Sequence, residues 1–328
     1  MVMRLPIRTS HVGSFPLDYS RENVYMIMRD LRSIGIDAPP YPQLRSFIDI
    51  YLQSLVDEGV AWTRDGFYFI NIDRVDDIRK IKPKVLEAED AVEALGKYDL
   101  GFKWLRAPVT GVFTLASRLY IEEDIGKGLY ATLISRKDLM RDVLTPYIRS
   151  FIEYLLGLGY NIVFLDEPIL GVIVGKRRII LGYTEDFIAD TINYLLRNIN
   201  AERGIHVCGR ISGKLFELLA SIESLDILNF EFYDTRENLD IINHETLEKY
   251  DKLLAPGIVS AKKPFVEEPD KIRKLLNEII RLASGRIDLV SGDCGFAGLK
   301  DTLDDPLETY RISIEKLKRI VSIVRELS

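Results

Sequence analysis

NIVFLDEP (161–168) is a short, mostly apolar run that ends in two carboxylates and a proline. A second such run, GIHVCG (204–209), carries a histidine and a cysteine near its end. Short apolar runs bounded by turn residues predict buried strands, and the amphipathic stretch between these two predicts a helix. The pair therefore predicts a βαβ unit, whose parallel strands end at the same edge of a sheet.

The same alternation continues over most of the chain. We predict further strands near Met3–His11 and Phe67–Ile72 and at 101–108, 225–232, 252–260 and 287–295. The clearest helical patterns lie at Lys137–Leu158, Glu185–Asn198, Asp270–Ala283 and Pro306–Glu326. Eight strands alternating with helices predict an α/β fold, a single (β/α)8 barrel over residues 1–328. No GxGxxG or GxxxxGK[ST] motif follows a predicted strand, which excludes the simplest nucleotide-binding folds.

The N-terminal part is less regular than the rest of the chain. Helices are predicted near Arg21–Ser33 and Arg45–Glu58, on either side of the loop IDAPPYPQL (36–44). We expect this helical and loop extension to lie over one mouth of the barrel.

Composition excludes several classes of protein. The 44 basic and 50 acidic residues give a formal net charge of −6, and no basic cluster interleaved with aromatics suggests a nucleic-acid surface. No run approaches the roughly 18 consecutive apolar residues of a membrane span. The start, MVMRLPIRTS, lacks the apolar region of a secretory signal. We therefore expect a cytoplasmic protein without a membrane or nucleic-acid partner.

Unusual polar residues cluster at the C-terminal ends of the predicted strands, where barrel enzymes build their active sites. They are Asp166, Glu167, His206, Cys208, Glu231, Asp293 and Cys294. One histidine, two cysteines and a carboxylate form a set of four ligands suited to tetrahedral Zn²⁺. The set comprises His206, Cys208, Glu231 and Cys294, and the two-residue spacing of the first pair lets both face the barrel axis.

Other interpretations of these residues remain open. The two cysteines could be ordinary buried thiols, His206 a core histidine and Glu231 a partner in an ion pair. His11 and His244 are expected to be structural or surface residues, although His11 is close enough to Gly13 and Ser14 to touch a ligand.

The charge of the predicted ligand set indicates its chemistry. Two thiolates and a carboxylate outweigh the charge of Zn²⁺, and such a centre is poorly suited to acidifying water for hydrolysis. It suits the capture of a substrate thiol as a thiolate, because metal coordination deprotonates a thiol that is otherwise mostly protonated at neutral pH. Thiol alkylation is therefore the predicted reaction.

Six motifs together resemble the catalytic half of cobalamin-independent methionine synthase, from about residue 8 to 327. They are HVGSFP (11–16), PVT (108–110), LDEP (165–168), IHVCG (205–209), NFE (229–231) and GDCG (292–295). The chain is similar to short-form, archaeal-type members of this family, which consist of the catalytic barrel alone. The resemblance implies methyl transfer to L-homocysteine, with Zn²⁺ held by the four predicted ligands and the substrate thiol entering as a further ligand.

The resemblance also implies roles for residues that contact the acceptor. Gly13 and Ser14 would hold the amino-acid carboxylate through N–H and hydroxyl donors, and Asp166 would bind the ammonium group. Glu167 would orient Asp166 or share the ammonium group.

Three departures from the family pattern bear on the methyl donor. The N-terminal barrel of the long members, which helps to bind folate, has no counterpart here. The glutamate expected after strand two has no clear match in GVAWTRDGFYFINID (59–73), where Asp65 and Asp73 are only weak candidates. The family's catalytic histidine is replaced by Lys262 in APGIVSAKKPFVEE (255–268).

The lysine shifts the expected donor from a methylated folate to a methylcorrinoid. Release of tetrahydrofolate requires a proton at N5, and an ordinary lysine is a weak acid at pH 7, whereas Co(I) leaves without a proton. We expect methylcobalamin or a corrinoid carrier protein as donor, with Lys262 as a catalytic residue and a methylated pterin as the other possibility. The lysine could instead have its pKa depressed by burial, or bind an anionic donor.

Rival functions include a corrinoid-dependent methyltransferase with another thiol acceptor, such as coenzyme M. A non-catalytic subunit stabilised by zinc is a second rival, and a hydrolase is a third.

Overall fold

A parallel sheet forms the centre of the molecule in the computed structural model, which describes residues 7–327. The strands are β1 (Ala61–Arg64), β2 (Phe67–Ile70), β3 (Arg106–Thr110), β4 (Leu119–Tyr120), β5 (Ile162–Asp166), β6 (Glu202–Val207), β7 (Ile227–Glu231) and β8 (Leu253–Gly257). Strands β3, β5, β6, β7 and β8 are hydrogen-bonded in that order, and every pair is parallel.

Short parallel bridges close this sheet into a ring. The bridges join Thr9 to Val290, Ser10 to Ala38, Pro40 to Arg106, Leu254 to Ile287 and Gly257 to Ser291. The segments 9–10, 38–40 and 287–291 thus occupy three strand positions, which with the five strands make eight in the described residues. The predicted (β/α)8 barrel is confirmed.

The helices surround the barrel. They are α1 (Arg21–Ile34), α2 (Asp49–Asp57), α3 (Leu86–Tyr98), α4 (Val112–Ala116), α5 (Lys137–Leu139), α6 (Thr145–Gly157), α7 (Leu170–Ile173), α8 (Glu185–Leu196), α9 (Gly213–Ser221), α10 (His244–Lys249), α11 (Pro269–Leu282) and α12 (Pro306–Arg325). The four clearest predicted helices correspond to α5–α6, α8, α11 and α12; a π-helical turn at Met140–Leu144 joins α5 to α6. Within residues 7–327, no helix combines the length and the apolar character needed to cross a membrane.

Helix α11 illustrates how the helices are fixed to the barrel. Its buried residues Ile272, Leu275, Leu276 and Ile279 recur at helical spacing and form one apolar stripe.

Inside the barrel a separate small apolar cluster fills the lower part of the interior. Its members are Ala38, Ile162, Phe164, Ile227, Ala255 and Leu289. The polar residues at the opposite, C-terminal ends of the strands therefore lie above an apolar floor.

The second barrel strand was wrongly predicted. Residues 67–70 do form a strand, but β2 pairs with β1 in an antiparallel hairpin outside the barrel. Asp65 and Gly66 form its tight turn, both with positive φ, as an Asp-Gly hairpin turn requires. The second barrel position belongs to 38–40, within the proline-rich stretch that was predicted to be a loop.

The expected position of the N-terminal extension is also corrected in part. Helix α1 packs against α3 and α12 and so belongs to the outer layer of helices. The chain after 38–40 does reach the C-terminal end of the barrel, where the Thr110 hydroxyl donates to the carbonyl of Phe47 at 2.6 Å. Of the strand predicted near Met3–His11, residues 3–6 lie outside the described residues.

Candidate metal centre

His206, Cys208 and Cys294 meet at the C-terminal end of the barrel. One ligand atom from each lies within 4.8 Å of the others, and the described residues contain no other such group of three. The His206 Nε2 atom is 2.9 Å from the Cys208 Sγ atom, which is 3.1 Å from the Cys294 Sγ atom. His206 is buried near the end of β6, whereas both cysteines are partly exposed and unlinked by a disulfide.

The two cysteine sulfur atoms lie within hydrogen-bond distance of each other. The hydrogen bond from the Cys208 thiol holds the pKa of Cys294 well below its usual range, and the same contact raises the pKa of Cys208. The sulfur pair lies beside the Nε2 atom of His206. The His206 Nδ1 atom is buried and has no hydrogen-bond partner among the described residues.

Glu231 lies at the end of β7, on the strand next to His206, and is almost fully buried. Its carboxylate is not among the three atoms that lie within 4.8 Å of one another, and it accepts a hydrogen bond from the Thr235 hydroxyl. The role of Glu231 as a fourth ligand stays a prediction.

The donor set fits zinc. Two sulfur atoms and one imidazole nitrogen are the ligands that Zn²⁺ prefers, and ligand bonds of about 2.0–2.3 Å would bring all three to one ion. The close approach of the two sulfur atoms to each other and to the His206 Nε2 atom places three such ligand atoms around one position. The arrangement can therefore hold a metal and still accept a thiol from the mouth.

Asp166 ends β5 and is paired in register with His206 on β6. Its side chain is buried, and its Oδ1 atom has no hydrogen-bond partner among the described residues. Burial raises the pKa of Asp166 to about 7, although the charges of His206 and Arg106 oppose this rise. A buried acceptor without a partner, next to the thiol site, suits a ligand that brings its own cationic donor.

Glu167 binds the start of helix α4. Its carboxylate accepts hydrogen bonds from the backbone N–H groups of Phe113 and Thr114 and from the Thr114 hydroxyl, at 3.0, 2.8 and 2.7 Å. These groups form the first turn of α4, whose N–H groups have no acceptor within the helix. Glu167 therefore fixes α4 to the end of β5, and its predicted contact with Asp166 or with an ammonium group stays a prediction.

Replacing Glu167 with alanine should lower the free energy of unfolding by about 3 kcal/mol, because three buried donors lose their acceptor and a cavity remains. Burial raises the pKa of Glu167 from 4.5 to about 7, so the folded protein keeps a proton that the unfolded chain releases. Glu167 should accordingly make wild-type stability fall as pH rises from about 4.5 to 7; Asp166 and Asp293, whose pKa values burial also raises to about 7, add to this slope, and E167A should lose only the share of Glu167. Urea unfolding at pH 5 and pH 8 measures both effects; equal slopes for the two proteins would contradict this account.

The turn at Gly13 and Ser14 lies against the loop that carries Cys294. The Ser14 carbonyl accepts from the Phe296 N–H at 2.7 Å, and the Ser14 hydroxyl accepts from the Ala297 N–H at 3.2 Å. A β-carbon on Gly295 would lie 2.1 Å from the Ser14 hydroxyl, so this close approach needs glycine. The predicted carboxylate-binding turn is thus next to the thiols.

His11 supports this turn from inside the protein. Its ring stacks on Phe296, with centroids 4.5 Å apart, and its Nε2 atom lies 3.0 Å from the carbonyl of Ser14. Burial lowers the pKa of His11 to about 3, so the ring is neutral.

Lys262 lies outside the thiol cluster, on the loop that follows β8. Its side chain is exposed, and its backbone N–H donates to the Ser260 hydroxyl at 3.1 Å. That hydroxyl donates to Asp234 at 2.6 Å, which links the Lys262 loop to the loop after β7. A free amine at the rim can meet a large donor, and its catalytic role stays a prediction.

Sequence reasoning missed Arg106 and Asn229 as residues of the site. The Arg106 guanidinium is fully buried inside the barrel and donates to the Asn229 Oδ1 atom at 3.3 Å. A charged residue at an inward position of the predicted strand GFKWLRAP was the available signal.

Asp293 was noted without a role; it accepts from the N–H groups of Phe232, Tyr233 and Asp234 and so ties the loops after β7 and after 287–291 together.

Sequence comparison finds relatives for most of the chain. The family model for the catalytic domain of cobalamin-independent synthase matches residues 129–305, more than half of the chain. A methionine synthase from Methanothermobacter marburgensis is 25% identical and is aligned over 89% of this chain and 86% of its own length. A methionine synthase from Methanocaldococcus jannaschii is 27% identical, over 97% of this chain and 98% of its own.

Solved structures with the same fold include the B12-independent methionine synthase from Shewanella sp. W3-18-1 in complex with selenomethionine. It superimposes with a TM-score of 0.69 at 14% identity and covers 98% of this chain and 99% of its own. A methyltransferase from Methanosarcina mazei gives a TM-score of 0.67 at 14% identity, with 98% and 94% covered. At this identity the likeness concerns the fold alone.

Proposed function

The chain belongs to the cobalamin-independent methionine synthase catalytic-domain family, and we propose that it is a zinc-dependent methyltransferase that converts L-homocysteine to L-methionine. We further propose that residues 1–328 act as one catalytic barrel and that the methyl donor is a methylcorrinoid, free or on a carrier protein. In this reaction the homocysteine thiol loses its proton, a sulfur–methyl bond forms, and the cobalt–methyl bond breaks with both electrons left on Co(I).

The observation that carries the proposal is the meeting of His206, Cys208 and Cys294 beside the unpaired Asp166 carboxylate. Two sulfur ligands and one nitrogen ligand favour a centre that captures thiols, and Asp166 supplies a counter-charge for an amino acid. Coenzyme M, a sulfonate without an amine, would leave Asp166 buried and unpaired. The combination therefore supports homocysteine over that acceptor.

Each residue then has a separate task. His206, Cys208 and Cys294, with Glu231 as the fourth, would hold zinc, which when bound supplies the means to keep the acceptor as a thiolate at neutral pH. Asp166 would accept hydrogen bonds from the ammonium group, and the Gly13–Ser14 turn would donate to the carboxylate. Fixing both ends of the amino acid orients its sulfur toward the mouth, where the donor arrives.

The donor assignment rests on Lys262. Its side chain lies exposed at the rim, a position suited to contact with an incoming donor or its carrier. A corrinoid leaving group needs no proton, so no general acid is required at this place. A pterin leaving group would need an acid there.

The decisive assay measures methionine formed by purified, zinc-loaded protein from homocysteine with either methylcobalamin or methylated pterin. We expect turnover with methylcobalamin, loss of turnover after chelation, and recovery on adding zinc. Turnover with the pterin alone would reject the donor assignment but keep the acceptor. Methyl transfer to coenzyme M but not to homocysteine, or zinc removal that unfolds a protein inactive with every donor, would reject the proposed function.

A further inference from the structure

Arg106 is a buried cation without a carboxylate partner. Its side chain is fully buried, its guanidinium carbon lies 3.8 Å from the centroid of the Phe164 ring, and its one hydrogen bond goes to the Asn229 amide oxygen. The Nε and Nη1 atoms have no hydrogen-bond partner among the described residues. A charge buried in this way is costly unless an opposite charge compensates for it.

The guanidinium lies beneath the metal centre. Asn229, to which it is hydrogen-bonded, is paired in register with His206 on the neighbouring strand. Phe164 stands two residues before Asp166 on β5 and so faces the interior one layer deeper. The guanidinium is therefore held between the aromatic floor and the layer that contains His206 and Asp166. The titratable groups whose charges interact with it are His11, Asp166, His206 and Cys294.

The interior is shaped to hold this arrangement. A β-carbon on Gly204 would lie 2.4 Å from the Phe164 ring, so glycine at this position makes room for the ring on which the guanidinium stacks. Asn229 is held in turn by donating to the carbonyl of Ala255 at 2.5 Å. Arg106 thus has a fixed position, although no carboxylate binds it directly.

The negative charge of the proposed metal centre would compensate for the buried positive charge of Arg106. Zinc with two thiolates, a carboxylate and a neutral imidazole sums to one negative charge, and an acceptor thiolate adds a second. In a barrel interior with little water, a positive charge fixed nearby offsets this excess more strongly than solvent counter-ions do. Among the described residues, no other buried cation is hydrogen-bonded to a residue of the layer that contains His206 and Asp166.

We propose that Arg106 is a positioning residue whose fixed charge offsets the anionic metal centre from beneath, and so supports both zinc binding and capture of the acceptor as a thiolate. The proposal rests on the proposed function, because it requires a zinc centre at the three ligands. It extends that function by assigning part of the anionic centre's stability to a residue that does not touch the metal.

The test compares Arg106→Met with Arg106→Lys and with Arg8→Met as a matched control. Arg8 is the arginine of the opposite barrel end, where it is paired with Asp288 and Glu202. Zinc affinity is measured at pH 7 by competition with a chromogenic chelator, and the melting temperature is measured for the metal-free proteins. R106M should bind zinc about 10- to 100-fold more weakly, as is typical when a group supporting the ligands is lost, and R106K should recover most of the affinity.

Stability should change in opposite directions for the two methionine variants. Metal-free R106M should melt at or above the wild-type temperature, because an unpaired buried charge is removed. R8M should melt lower, because two carboxylates lose their partner, and its zinc affinity should equal that of wild type. Arg106→Gln, also neutral, should show the same loss of affinity as R106M and replaces it if R106M does not fold.

Wild-type zinc affinity in R106M or R106Q, or a loss in R106K as large as that in R106M, would overturn the proposal. If the wild-type protein binds zinc through Cys294, either of these results leaves the proposed function intact. A wild type that binds no zinc refutes the proposed function itself.

Discussion

Replacing Cys294 with serine should abolish stoichiometric zinc binding and reduce methyl transfer by about three orders of magnitude or more. Serine has nearly the same shape, but its hydroxyl does not ionise near neutral pH and cannot replace a thiolate ligand. In the structure the Cys294 Sγ atom lies 3.1 Å from the Cys208 Sγ atom, and this contact lowers the pKa of Cys294 well below its usual range. Metal content by mass spectrometry and methionine formation under saturating homocysteine would measure the two losses.

A matched control lies on the same segment of chain. Ser291, in 287–291, is a buried barrel residue outside the thiol cluster, and its hydroxyl donates to the Gly292 carbonyl at 3.0 Å. Its contact with the Asn229 amide is long, at 3.5 Å, and Asn229 keeps its shorter hydrogen bond to the Ala255 carbonyl without it. S291A should keep both zinc and activity. If C294S retained one zinc per chain and wild-type turnover, the three residues would not be the catalytic metal site.

The sequence predicted most of the barrel because the strands from β5 onward are short segments of five or six residues with an apolar centre, separated by helical patterns. Their C-terminal ends had to lie together in any parallel barrel, so His206, Cys208 and Cys294 could be placed in one site from their positions alone. Strands β5 to β8 and helices α8, α11 and α12 were found within a few residues of their bounds.

The strand position at 38–40 could not be found in this way, because so short a segment shows no recognisable pattern of apolar residues. Only Ala38 and Pro40 make ladder contacts there, and three prolines in 36–44 are typical of a loop. The apolar, aromatic run at Phe67–Ile70 is a better strand by composition, and it is one. The turn at Asp65 and Gly66 marked it as a hairpin, which a barrel of parallel strands does not contain.

Glu167 shows why adjacent residues can differ in role. Asp166 and Glu167 stand side by side in LDEP, but neighbours at the end of a strand point in opposite directions. Asp166 faces the interior and the thiols, whereas Glu167 reaches outward to the start of α4. Because side chains alternate in direction along β5, we expect only one of the two carboxylates to bind the acceptor. Treating LDEP as a single motif hides this difference.

Arg106 could not be assigned from sequence because its function depends on distance across the barrel. Nothing near it in the chain supplies an opposite charge, and the groups that interact with it come from other strands and from the loop after 287–291. The long Arg106 side chain reaches from one layer of the barrel interior to the next. Strand register does not reveal such a contact, so the three-dimensional structure is needed to find it.

Replacing Asp166 with asparagine should raise the KM for homocysteine by about 100-fold with zinc content unchanged. A buried, charge-assisted contact to an ammonium group is worth several kcal/mol when one partner is removed, and about 1.4 kcal/mol corresponds to a factor of ten. Asparagine keeps the shape of the side chain and removes its charge. Initial rates over a range of homocysteine concentrations, at saturating methyl donor, would separate KM from kcat.

Two comparisons distinguish ammonium binding from general damage to the site. D166N and wild type should have similar KM values for 4-mercaptobutyrate, which is homocysteine without its amine, because the aspartate has no partner on that acceptor. D288N, at the N-terminal end of the barrel where Asp288 pairs with Arg8, should lower stability and leave the homocysteine KM unchanged. Equal losses of D166N on both acceptors would show that Asp166 shapes the thiol site, and the preference for an amino acid would then need another residue.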